Sequence, residues 1–143
     1  MRDFNFISVT PSAWVAIAVM LLVIPLPWSV AWLTAAVTHE LFHCLAVYCC
    51  AEKILQIEIG IHGAKIETGF LPDGKRILCI LAGPVGGLLL IFFAELFPQL
   101  AICGFLQSAF NLLPIYPLDG GRAMRIGLDL ISKRMKYRKI PCK

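Results

Sequence analysis

Residues 28–50 form one long, largely apolar run, broken only by three ionisable side chains, His39, Glu40 and His43. A run of that length leaves the chain few options. About 20 apolar residues cross the hydrocarbon core of a bilayer as a helix, and only helices or closed barrels satisfy their backbone polar groups there. In a soluble protein the same run would have to be a fully buried core helix. The three ionisable groups narrow the reading further. Such side chains are costly in the middle of an apolar span, and where they persist they mark function.

Composition favours lipid as the main solvent. The 143 residues are about one domain by length, 59% hydrophobic and only 15% charged, with a mean hydropathy of +0.79. Soluble domains carry roughly 25% charged residues. Six cysteines do not imply a disulfide framework. Cys44, Cys49, Cys50, Cys79 and Cys103 lie in apolar stretches, where a free thiol behaves as a small buried hydrophobe. No C-x-x-C pair is present, which excludes the usual thiolate zinc or thioredoxin-like patterns. Arg2 is followed by Asp3, and no small-residue cleavage site closes the first apolar run, so that run reads as mature structure rather than a signal peptide.

The chain divides into segments of distinct character. Residues 1–11 are a short polar N-terminal segment. Residues 12–51 read as a helical hairpin: a short helix over 12–24 with Ser12 as N-cap, a turn at Pro25-Leu26-Pro27, then a spanning helix over 28–51. Residues 52–72 read as a β-hairpin. Leu55, Ile57 and Ile59 alternate with Gln56 and Glu58, Gly60 and Gly63 supply turn residues, and His62 is a solvated tip residue. A third helix is expected over 73–97, kinked at Pro84, with Gly83 and Gly87 at a spacing that lets another helix approach. A fourth apolar helix spans 100–113. Two prolines and the Gly120-Gly121 pair then unwind the backbone, and helix resumes over 122–132, followed by a basic tail at 133–143. The fold class is therefore a mainly α membrane protein: about four apolar helices, the first short, with a β-hairpin between the second and third.

The cations fix an orientation. If the chain crosses as drawn, all 13 Lys and Arg fall on or nearest to the side that holds both termini and the hairpin. By the positive-inside rule that side is the cytoplasm. The expected location is a bacterial cytoplasmic membrane, multi-pass, with both termini cytoplasmic. The tail touches anionic lipid, and no nucleic-acid partner is expected.

His39, Glu40 and His43 form the H-E-x-x-H pattern. Residues four apart on a helix share one face, so His39 and His43 can hold one metal ion through neutral imidazole nitrogens, while Glu40 stands beside them to take a proton from water. A catalytic zinc site has three protein ligands. Counted from their cytoplasmic helix ends, His39 and Asp119 both sit roughly 18–20 Å deep at 1.5 Å per residue. Glu95 lies near the opposite face and Asp129 is close to the tail, which leaves Asp119 as the third ligand. As an alternative or an addition, Asp119 caps the helix that follows it.

These residues resemble the site-2 protease family of intramembrane zinc metalloproteases, and within it the bacterial branch typified by stage IV sporulation protein FB. The matching parts are His39-Glu40-Leu41-Phe42-His43, the hairpin after that helix, Ala82-Gly83-Pro84, and residues 111–121. The resemblance implies a site-2-protease-like core, Zn2+ held by His39, His43 and Asp119, and Glu40 as general base. It implies a membrane protein or membrane-associated pro-protein as substrate, such as the precursor of a sporulation sigma factor. Asn111 either holds substrate backbone or makes a helix-packing hydrogen bond. Gly87 stands where the family pattern often has Asn, and no nucleotide-sensing domain follows within these 143 residues, so regulation through one is not expected of them. Two other classes compete: an inactive relative serving as a client-binding or metal-binding scaffold, and a soluble zinc peptidase whose motif helix is a core helix.

Overall fold

The structure, a computed structural model, describes residues 7–50, 52, 54–60 and 63–138. Residues 1–6, Ala51, Lys53, Ile61, His62 and tail residues 139–143 lie outside the described residues.

Prolines set the first boundaries. Helix α1, Pro11–Val23, starts with proline in its first turn and ends before Pro25; helix α2, Leu26–Cys49, again opens next to proline. Proline lacks the N–H that a helix start leaves unpaired anyway, and it cannot be accommodated at a helix interior without losing a bond. The N-cap of α1 is Thr10 rather than Ser12, and no side-chain cap bond forms. Strands β2 (Ile54–Gly60) and β3 (Gly63–Thr68) pair antiparallel with Ile57 opposite Ile66 and Glu58 opposite Lys65, the hairpin that the alternation predicts.

The N-terminal segment departs from the sequence reading. Ile7–Val9 is a strand, β1, and lies parallel to β2, so the sheet has three strands in the order β1-β2-β3. A parallel partner some fifty residues away leaves no local signal in three residues. Helix α3, Asp73–Leu89, continues through Pro84 and tightens into a 3-10 turn over Leu90–Phe93. Helix α4 is Pro98–Asn111. Helix α5, Asp119–Arg138, begins three residues before the expected start and runs six beyond the expected end. The first half of the basic tail is thus helical. Lys, Arg and Met are good helix formers, and Lys133 reaches Asp73 at the start of α3 (3.3 Å).

Two segments, Leu26–Cys49 and Asp73–Phe93, are long and apolar enough to cross a membrane, while α1 is apolar but shorter. The expectation of four apolar helices is therefore met for two full spans only. α4 is short, and α5 is rich in charge. Packing runs α2 on α3 and α4, and α3 on α4 and α5.

The interior is rich in small and polar residues beside a few large apolar ones such as Val47, Ile80 and Leu90. Ala31, Ala35, Ser29, Gly86, Gly87 and Ser108 are buried, whereas Leu22 and Phe92 are 86% and 82% exposed. Large apolar groups on the outside with small groups between helices is the pattern expected where lipid, not water, surrounds the helices. It disfavours a soluble core-helix reading of α2, whose Leu41 and Leu45 face outward. Gln107 donates to the Trp32 carbonyl (2.9 Å), an interhelical bond worth about 0.6 kcal/mol in such settings. Cys79 and Cys103 are buried as expected. Cys49 is exposed, and Cys44 and Cys50 are half-buried.

The α3–α4 contact yields a first prediction. A Cβ at Gly104 would stand 2.6 Å from the Gly87 carbonyl oxygen and 2.8 Å from Leu90 Cδ1. Gly104→Val is expected to cost about 1–3 kcal/mol through overpacking, read as a lower melting temperature in detergent. An unchanged melting temperature would mean that the two helices are not in this contact.

Candidate metal centre

The i, i+4 spacing on α2 turns His39 and His43 toward α3 and α5. Their Nε2 atoms lie 3.2 Å apart, and Asp119 Oδ2 lies 3.0 Å from the first and 3.3 Å from the second. Among the described residues this is the one group of His, Cys, Asp or Glu placed to hold a metal ion. His39 and Asp119 are 4% and 8% exposed, so the cluster is shielded from bulk solvent. Three donors tetrahedrally bound to zinc at about 2.0–2.1 Å would be about 3.3–3.4 Å from one another, close to the spacings found. Two imidazole edges and a carboxylate packed this tightly also need a cation or shared protons between them. The donor set and its spacing therefore fit zinc.

Contacts around the cluster fix its orientation. His43 Nδ1 donates to the Cys79 carbonyl of α3 (2.8 Å), which leaves the Nε2 lone pair for a metal. Outer partners of this kind set the tautomer and ring direction of a ligating histidine. Asp119 reaches the site from the first turn of α5. The preceding loop folds against that turn. Side chains at Gly120 and Gly121 would run into the backbone of Leu112 and Ile115, so both glycines are needed for the loop to close over the start of α5. Arg122 Nη1 lies 4.0 Å from the other Asp119 oxygen, a partly exposed pair of little energetic weight. Asp119 thus opens its helix as the first helical residue and points its carboxylate at the two histidines rather than back onto its own helix as a cap would.

Glu40, next to His39 on α2, is half-buried, and a Cβ at Gly63 would stand 3.0 Å from its Oε1. Gly63 has φ +102°, a conformation that favours glycine. The hairpin therefore lies directly over the motif glutamate. Asn111, at the end of α4, is half-buried and is not one of the three clustered groups.

Sequence reasoning missed Gly83. It reads as a helix-packing glycine, and it is one, but it packs on the two clustered histidines themselves. A Cβ there would collide with His43 Nε2 and Cε1 and stand 2.7 Å from His39 Nε2. The Ala82-Gly83-Pro84 signal was visible; what it faces was not. The Cys79 carbonyl was missed for a simpler reason, since a backbone group has no residue signature.

The chain is similar to known proteins. Stage IV sporulation protein FB of Bacillus subtilis (strain 168) is 27% identical over an alignment of 149 residues that takes in 93% of this chain. The chain spans half the length of that relative. Among solved structures, a site-2 protease from Methanocaldococcus jannaschii matches with a TM-score of 0.66 at 20% identity, covering 90% of this chain and 70% of that one. No family model matches the chain.

Proposed function

We propose that this chain, a relative of the site-2 proteases, is a membrane-embedded zinc metalloprotease that hydrolyses peptide bonds in or near transmembrane segments of its clients. The observation that carries the proposal is the convergence of two imidazoles and a carboxylate, from helices 80 residues apart, at zinc-ligand spacing beside Glu40. His39, His43 and Asp119 hold the ion. Zinc in such a set supplies Lewis acidity, which makes water a nucleophile near neutral pH and stabilises negative charge on a carbonyl oxygen. Glu40 accepts the proton from the attacking water and returns it to the departing amine. Shielding of the cluster by α3 and α5 limits competing water and strengthens these interactions.

A client helix hides its peptide bonds in i to i−4 hydrogen bonds and must be held extended. Among the described residues β3 ends the sheet, and Gly63 at its start lies against Glu40. A client segment added along the free edge of β3 would arrive beside the glutamate. Asn111, at the end of α4, is a further candidate for contact with client backbone.

Contacts at one end of the helices support the topology drawn from the cations. β1 pairs with β2, Lys75 donates to the Cys50 carbonyl (3.4 Å), and Lys133 meets Asp73. The N-terminal strand, the hairpin, the start of α3 and the end of α5 thus share a side, which we assign to the cytoplasm of a bacterial cell.

Metal removal tests the reading. A chelator is expected to stop release of a labelled fragment from a single-span client, and added zinc to restore it. Asp119→Ala is expected to lose more than the roughly 10–100-fold in zinc affinity that follows a change outside the ligand set. It should therefore stay inactive at zinc levels that revive the intact chain. Cleavage that persists after chelation, with zinc confirmed absent, would overturn the metalloprotease assignment.

A further inference from the structure

One pair of nucleophilic groups lies outside the chemistry described so far. Cys50, just past the end of α2, and Cys79, in the second turn of α3, place their sulfurs 3.7 Å apart, although 29 residues separate them in sequence. Neither is engaged in a disulfide. Sulfurs at that separation touch, and a bond requires them to close to about 2.05 Å. Cys50 is the C-cap of α2, with its N–H bonded to the Ala46 carbonyl (3.0 Å), so the approach is made by turning its side chain at the helix end. It is half-buried and Cys79 is buried, so an oxidant meets Cys50 first.

We propose that Cys50 and Cys79 form a reversible disulfide that cross-links α2 to α3 when the chain meets a hydroperoxide. The Cys50 thiol gives up its proton and its sulfur attacks one peroxide oxygen; the O–O bond breaks, and the hydroxide or alkoxide that leaves takes up that proton to depart as water or an alcohol, giving a Cys50 sulfenic acid. Cys79 sulfur then attacks Cys50 sulfur. The S–S bond forms, the S–O bond breaks, and water leaves with the Cys79 proton. The two thiols lose two electrons and the peroxide takes them; a small-molecule thiol reverses the step. A pair on the cytoplasmic side is reduced at rest, as expected of a redox-responsive rather than a structural bridge.

The bridge acts on the metal centre through one atom. The Cys79 carbonyl holds His43 Nδ1 at 2.8 Å, so drawing Cys79 toward the end of α2 disturbs the partner that orients this ligand. This second step rests on the zinc reading above, and changes to such partners weaken metal binding by about 10–100-fold.

The test uses the full chain in detergent, exposed to hydrogen peroxide and mapped by mass spectrometry under non-reducing conditions. A Cys50–Cys79 linked peptide, reversed by dithiothreitol, lost in Cys50→Ser and kept in Cys49→Ser, is the expected result. Cys79 remaining a free thiol, or pairing with the exposed Cys49 instead, would overturn the proposal. The mapping is repeated in Glu40→Gln, so that the cross-link stands or falls apart from the protease reading. Oxidised protein should lose zinc to a competing chelator at about ten-fold lower chelator concentration than reduced protein; identical retention would refute the coupling to His43.

Discussion

Glu40→Gln is expected to abolish client cleavage while zinc remains bound. Glutamine has nearly the same shape as glutamate, and Glu40 is not one of the three clustered ligand groups. What it lacks is a carboxylate to accept a proton from water and return it to the amine. Positioned acid–base groups contribute about 10²–10⁴-fold to rate, so residual cleavage should be at or below about one per cent. The variant should otherwise keep its fold, because the side chain retains its volume at the half-buried position beside Gly63. Fragment release from a labelled client, measured next to zinc content in the same preparation, reads both halves of the prediction. Full activity with zinc in place would remove Glu40 from the reaction.

Gly83→Ala is the second substitution with a large expected effect. One methyl group is added, yet it falls where His43 Nε2 and Cε1 now lie and 2.7 Å from His39 Nε2. Either the imidazoles turn away or α3 separates from α2. Separation is resisted one turn along, where Gly86 packs on the ring of Phe42 just as tightly. The expected result is loss of zinc by at least the roughly 10–100-fold seen for lesser disturbances, and loss of cleavage with it. Gly74→Ala is the matched control. Nothing lies within 4 Å of the added methyl there, and alanine in a helix gains roughly 0.5–1 kcal/mol over glycine. Zinc retained in Gly83→Ala would mean that α3 does not lie against the ligands.

What the sequence revealed follows from how local each signal is. The two histidines were legible because helical spacing alone puts them on one face. Asp119 was singled out by counting depth back from residue 132, but α5 runs on to Arg138 and is not one of the two spanning segments, so that count does not describe the helix; the first turn of α5 is what brings the carboxylate to the histidines. The hairpin was legible from its alternation and turn glycines. β1 was not, since a three-residue strand is defined by its distant partner. The early start of α5 was hidden by Gly120 and Gly121. Those residues usually weaken a helix, and here they admit the loop backbone of Leu112 and Ile115. Gly83 and Gly87 look equivalent in sequence, but the first faces the imidazoles and the second faces Ser108 of α4. Only the rotation of α3 between its neighbours separates a site-shaping glycine from a packing one.

X-ray absorption at the zinc edge of the purified chain tests the central claim most directly. One zinc per chain is expected, with two imidazole nitrogens and a carboxylate oxygen at about 2.0–2.2 Å, and loss of that spectrum in Asp119→Ala. Zinc bound through sulfur at about 2.3 Å, or a chain that takes up no zinc at all, would contradict it.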